Sequence, residues 1–183
     1  MAVFGLQNFI RKDRMTSKSV GLLVMTRIHG KLQAVLHRRG EFNPETMAPE
    51  TNPGVWHVTM HECLLPDESL EIGLLRGTKE ELGDGMARIL EKSDKTPIGE
   101  IRSRFFWKTY FGVYIQPDSL RLFQLDASSG GIKPFTIKEF NQLSPLLECN
   151  NASRTISYYN QNVVFENEIP VVRRAFHIYM GHQ

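Results

Sequence analysis

Residues 19–28 read as a β-strand, the His29-Gly30 pair as a tight turn, and residues 31–39 as the returning strand, with Leu32, Ala34 and Leu36 alternating onto one face. Residues 40–54 hold three prolines and show no hydrophobic period, which predicts a surface loop, and alternation resumes over 55–64 as a further strand. The period then changes. Leu70, Leu74, Leu75, Thr78 and Leu82 recur at helical spacing, with Pro66 and Asp67 leading in and Gly83 as a stop, so a helix is predicted over 69–82 and a short second one over 86–92.

Strands are predicted over 98–101, 105–115 and 120–125, the middle one rich in aromatic and β-branched residues and the last two separated by Pro117 and Asp118. A turn is expected at 128–131. Thr136 and Glu139 form a capping box that opens a helix to residue 143. Residues 150–162 carry no regular pattern, and 170–180 read as a helix with Pro170 at its start and Val171, Arg174, Ala175 and Ile178 in i, i+3, i+4, i+7 register. Strands, a helix, more strands and closing helices predict a mixed α/β sandwich. We read one domain over 19–183 behind an N-terminal extension, 1–18.

Composition narrows this picture. With 183 residues, 41% of them hydrophobic, the chain holds material for one ordinary core and little for a second. No apolar run approaches the roughly 18 residues that a membrane-spanning helix needs. Lys+Arg 22 against Asp+Glu 20 gives a net charge of +2, which argues against long nucleic acid as a partner but leaves room for a local phosphate site. Cys63 and Cys149 are too few for a disulfide scaffold and are not spaced as a metal knuckle, so free thiols and a cytoplasmic setting are expected. The stretch 3–14 mixes Phe4, Leu6, Phe9 and Ile10 with Arg11, Lys12 and Arg14; it reads as a helical or frayed extension or, alternatively, as an organelle-targeting helix.

The candidate chemistry lies at 62–84. Within the first predicted helix, positions 77, 80 and 81 are related by i, i+3 and i+4 and project from one face, so Glu80 and Glu81 are neighbours beside a loop that carries Glu68. Clustered carboxylates suit a hard divalent cation, which takes oxygen ligands, keeps waters and shares a diphosphate. The plainer reading is an acidic, solvated helix face. Gly73 and Gly77 lie four apart on that helix and would each cost about 0.5–1 kcal/mol relative to alanine, which implies a close approach on their side.

The segment Glu68-x7-Arg76-Gly77-Thr78-Lys79-Glu80-Glu81-Leu82-Gly83 resembles the Nudix box, G-x5-E-x7-R-E-U-x-E-E-x-G-U with U aliphatic. It matches at Glu68, Arg76, Glu80, Glu81 and Gly83 with the spacing intact. It departs at Glu62, where the first Gly belongs, at Gly77, where the Glu after Arg belongs, and at Asp84, where an aliphatic residue belongs; Thr78 fits its aliphatic position in part. Pro53 to Trp56 and the stretch Leu36-His37-Arg38-Arg39 are similar to the surroundings of the box in isopentenyl diphosphate isomerase and its Nudix relatives.

The resemblance implies a Nudix-type α/β/α sandwich with a mixed sheet and a Mg²⁺ or Mn²⁺ cofactor. Glu81 would then be the principal metal ligand, Glu80 a further one, Glu68 a supporting acid near the metal, and Arg76 the residue that orients the acids. Gly77 replaces an acid that the family uses as ligand or base. Around this box, Arg38 and Arg39 are candidate phosphate binders because guanidinium groups bind phosphate bidentately, and Trp56 either stacks on a base or fills the core. The cations and rings of 102–110 suit either a nucleotide or a buried strand with a solvated end.

Three functional readings result. The first is a Mg²⁺-dependent hydrolase of a small-molecule diphosphate, a nucleoside diphosphate linked to another moiety, with Glu80, Glu81 and Arg76 as the catalytic set and a homodimer left open. The second is a binding or regulatory module that kept the fold and lost the chemistry with the acid at 77. The third is a prenyl diphosphate isomerase relative. His61 and Cys63 fall in the reverse of that enzyme's order, and its later acidic pair is absent from 105–115.

Overall fold

The computed structural model describes residues 17–43, 46–104, 106–147, 158 and 161–181. The stretch 3–14, Cys149 and most of the patternless 150–162 lie outside the described residues. The predicted first hairpin is present: β1 (Ser17–Ile28) runs antiparallel to β2 (Lys31–Arg39) around His29 and Gly30, both with positive φ. Short strands β3 (Phe42–Asn43) and β4 (Ala48–Pro49) pair within the proline-bearing loop.

The strand expected over 55–64 is divided into β5 (Trp56–His57) and β6 (Met60–Cys63). The cause is Thr59. Past the Val24 and Val35 pair, β1 and β2 diverge, β5 joining β2 and β6 joining β1. The fully buried Thr59 hydroxyl sits in the fork, accepting from Val24 N–H (2.7 Å) and donating to Val35 C=O (2.5 Å). Two backbone groups that would otherwise be buried without partners are satisfied by one side chain.

Helix α1 (Leu70–Leu82) is capped by Ser69, which accepts from Ile72 N–H, and ends at Gly83, whose φ of 89° suits glycine; α2 (Asp84–Lys92) follows directly. β7 (Thr96–Arg102) and β8 (Phe106–Tyr114) pair antiparallel, and β8 runs parallel to β1. The strand expected over 120–125 is instead a 3₁₀ helix, Pro117–Leu122, opened by a proline at its first position. Leu120 within it and Phe123 just after it pack against the core beside α1 and α2, so their spacing reflects packing rather than a pleat.

The turn expected at 128–131 is the start of β9 (Ser129–Thr136), which pairs with β2. Among the described residues only β2 flanks it, so Pro134 leaves no described strand short of a donor. The Thr136 and Glu139 capping box is formed, on a helix α3 (Ile137–Phe140) shorter than expected. β10 (Ser144–Leu146) and β11 (Val163–Phe165) add parallel strands beyond β5, and α4 (Ile169–Met180) closes the described fold.

The mixed sheet has the order β10-β11-β5-β2-β1-β8-β7. It is buried on both faces. On one, Leu23, Met25, Leu36 and Tyr110 pack with Val172, Ala175 and Phe176 of α4; on the other, Leu22, Val24, Val35 and Met60 pack with Leu74, Leu82, Met86 and Leu90 of α1 and α2. The architecture is the expected α/β/α sandwich. Among the described residues no helix is long and apolar enough to cross a membrane.

Candidate active site

The fork between β1 and β2 opens onto a cavity of about 560 Å³ whose lining includes His37, Arg39, Glu50, His57, His61, Glu62, Glu80, Glu81, Lys108, Asp126 and Glu168. Each group arrives by an identifiable route. Glu80 and Glu81 come from the last turn of α1 and Glu62 from β6, on which α1 rests. Gly77 sets that contact: a Cβ there would lie 2.6 Å from Glu62 Cβ, and one at Gly73 would lie 2.2 Å from Leu64 Cδ2. The two glycines therefore answer to the close approach that their cost implied.

Arg76 organises the acids. Its guanidinium donates through Nε and Nη2 to the two oxygens of Glu68 (2.9 Å each) and through Nη1 to Glu80 Oε2 (3.0 Å). Nη1 also stands 3.4 Å from Glu62 Oε1, and Nη2 donates to the Cys63 carbonyl (2.8 Å). Glu68 accepts the Leu65 N–H as well, and these partners hold its carboxyl down at about 2. Its side chain is nearly buried against Arg76 and is not part of the cavity lining, so the structure brings together Glu80, Glu81 and Glu62 and sets Glu68 behind them.

Glu81 has a less exposed side chain than Glu62 or Glu80. Burial pushes its carboxyl well above the usual range, and nearby Glu62 and Asp126 push it further; Glu62 is raised by burial too. His37 Nδ1 lies 3.8 Å from Glu81 Oε2, while its Nε2 shares a 2.6 Å hydrogen bond with Ser129 Oγ. The His57 ring packs on His37, with 4.9 Å between centroids, and His61 Nε2 lies 3.1 Å from Ser19 Oγ. Desolvation lowers all three imidazoles, His37 to about 4 and His61 to about 3, so they are neutral near pH 7.

The predicted phosphate-binding pair is split by the pleat. Arg39 faces the cavity, braced by Glu50 and by the Thr51 carbonyl (2.6 Å). Arg38 points to the other side, where it bonds the Gly54 carbonyl (3.1 Å) and lies 5.4 Å over the ring of Trp56, its partner across the β2–β5 ladder. Trp56 is 8% exposed and meets Phe135 edge-on at 5.0 Å, as a core residue does. Neither it nor Arg38 lines the cavity.

Sequence reasoning gave no role to Glu168, which is 3% exposed. Its Oε2 accepts the Val58 N–H (2.8 Å) and its Oε1 the Tyr110 hydroxyl (3.4 Å), tying the start of α4 to the fork. It lies 110 residues from Val58, so no local pattern could have signalled the contact.

The chemistry of the donor set fits a divalent cation. Glu62, Glu80, Glu81 and Asp126 offer carboxylate oxygens to one polar cavity. Among the described residues no three of the metal-binding types form a ready cage. Mg²⁺ does not require one, since it is held by one or two carboxylates together with water and substrate phosphate.

In overall shape the chain is similar to a mutT/nudix family protein from Listeria innocua, with a TM-score of 0.58, 17% identity, and 91% of this chain and 95% of that one covered. The fold is the Nudix fold. A Caenorhabditis elegans Ap4A hydrolase in a binary complex aligns with a TM-score of 0.56 at 14% identity over 91% and 99% of the two chains. The NUDIX domain of Shewanella oneidensis NrtR, complexed with ADP ribose, aligns with a TM-score of 0.50 at 13% identity over 90% and 88%. No protein-family model and no curated protein matches the chain. In this Nudix fold the segment that resembles the box occupies β6, α1 and the loop between them.

Proposed function

We propose that the chain is a Nudix-type hydrolase that cleaves the diphosphate bond of a nucleoside diphosphate linked to another moiety, with Mg²⁺ or Mn²⁺ as cofactor. The observation that carries the proposal is the meeting of Glu80 and Glu81 with Arg39 and Lys108 in one polar cavity at the fork of a Nudix fold. Arg39, preset by Glu50, and Lys108 receive the diphosphate, Arg39 through its paired donors. Glu80 and Glu81 would hold the cation, which would supply charge neutralisation on the phosphoryl oxygens. Arg76 fixes the acids, and Glu68 fixes Arg76. A water attacks phosphorus, its proton passes to a carboxylate of the cluster, and the bridging P–O bond breaks to release a nucleoside monophosphate and the phosphorylated second moiety. Structural relatives described with ADP ribose and as an Ap4A hydrolase make those two compounds the first substrates to try.

The second reading, a binding module without turnover, draws on Gly77, which removes an acid from α1. One experiment separates them. Wild type and Glu81→Gln are incubated with ADP ribose, Ap4A and further nucleoside diphosphate derivatives in Mg²⁺ or Mn²⁺, and products are counted by chromatography. Turnover by wild type well above the variant supports the hydrolase. Equal rates for every compound reject it, and a thermal shift with the same compounds but no turnover favours the binding module.

A further inference from the structure

Two of the three departures from the box pattern, Glu62 and Gly77, meet in space. A Cβ on residue 77 would stand 2.6 Å from Glu62 Cβ, 2.9 Å from Glu62 Cγ and 3.0 Å from Met60 Sδ, so one space beside the cavity admits a side chain from the strand or from the helix but not from both. Here the strand fills it, and with a carboxylate. We propose that Glu62 supplies from β6 the acidic ligand that α1 lacks at Gly77, so that Glu62, Glu80 and Glu81 together receive the divalent cation.

This assignment rests on the hydrolase reading and goes further by naming the third carboxylate. Glu62 lines the cavity alongside Glu80 and Glu81. A single guanidinium nitrogen, Arg76 Nη1, faces both Glu62 Oε1 (3.4 Å) and Glu80 Oε2 (3.0 Å), which keeps these two acids together across the strand–helix contact. An independent feature of the same cavity points to a ligand there. The His37 side chain is only 6% exposed, yet its Nδ1, 3.8 Å from Glu81 Oε2, makes no hydrogen bond among the described residues. A buried polar atom turned towards the acids with no hydrogen-bond partner among the described residues belongs to a site arranged for something else.

The test is a Mn²⁺ titration of the full chain, followed by electron paramagnetic resonance and calorimetry, on wild type, Glu62→Gln, and the exchange variant Glu62→Gly/Gly77→Glu. Thermal unfolding is measured on each. Glu62→Gln keeps the shape of the side chain, so the expected result is a loss of Mn²⁺ affinity of roughly tenfold or more with little change in the unfolding midpoint. The exchange variant moves the carboxylate to the helix and vacates the space at 62, and it should recover most of that affinity, a non-additive result that a purely structural Glu62 would not give. Wild-type affinity in Glu62→Gln overturns the assignment while leaving the hydrolase reading standing. Failure of the wild type to bind Mn²⁺ overturns both. Should the exchange variant not fold, the comparison of Glu62→Gln with wild type decides alone.

Discussion

The acids Glu62, Glu80 and Glu81 reach the cavity from one continuous strand–loop–helix segment, whereas the rest of its lining draws His37 and Arg39 from β2, His57 from β5, Lys108 from β8, and Asp126 from the stretch before β9. In the first region, helix periodicity sets which helical side chains point together, and Arg76 bonds Glu80 one turn along the helix and Glu68 on the preceding loop while reaching back to Glu62 on the strand. In the second, sheet register decides. His37 and Arg39 face the cavity and Arg38 does not, because alternate residues of a strand take opposite faces. A substitution in the first region should therefore act mainly on chemistry, and one in the second on both chemistry and folding.

The largest expected effect tests the first half of that contrast. Glu81→Gln should lower turnover on the order of a hundredfold or more, with the folded state kept; a matching loss of thermal stability would show that Glu81 is chiefly structural. On the strands that carry the second region, but on their core side, Trp56→Ala should cost about 3–5 kcal/mol in urea denaturation, because the ring is buried against Phe135, while Trp56→Phe should leave KM unchanged. A raised KM in Trp56→Phe would return this residue to substrate binding.

Thr59→Val should cost about 1–3 kcal/mol, since both Val24 N–H and Val35 C=O lose their partner at the fork. Acid should act on the histidine side of the site. The ordinary histidine value is 6.5, and burial lowers His37 to about 4, His61 to about 3 and His57 well below 6.5. Below pH 6.5 the unfolded chain takes up protons that the folded chain does not. The histidine contribution to stability is thus full above that pH and is lost as pH falls from 6.5 towards 4 and then 3, opposite in sense to the contribution of the raised Glu81 and Glu62 carboxyls. Urea titrations of wild type against a His37→Asn variant across this range would follow it. The smallest effect separates the two arginines: Arg39→Ala should raise KM roughly tenfold, whereas Arg38→Ala should leave KM alone and cost about 0.5–1 kcal/mol through its stacking on Trp56.

Much of the frame was legible along the chain because it is fixed locally. The turn at His29 and Gly30, the Ser69 to Gly83 limits of α1 and the Thr136 and Glu139 capping box all rest on contacts within a few residues. The elements that differed from expectation depend on distant partners. Residues 120–125 have apolar spacing but no strand neighbour among the described residues, and they form the end of the 3₁₀ helix Pro117–Leu122 and the irregular stretch after it, whereas 129–136 form a strand despite two glycines and a proline because the edge of β2 is open to them. Residues 55–64 divide because Thr59 meets Val24 and Val35.

By itself, then, the sequence determined that Glu80 and Glu81 share a helical face, that Gly73 and Gly77 demand a close neighbour, and that strands and helices alternate as in a layered sandwich, all consequences of fixed helical and pleated periods. Only the tertiary structure decided that the close neighbour of Gly77 is Glu62, that Arg38 and Trp56 belong to the core side while Arg39 faces the cavity, and that Glu168 braces the fork. Those outcomes depend on strand register and on contacts across tens of residues, where the space left by one side chain fixes what another can be.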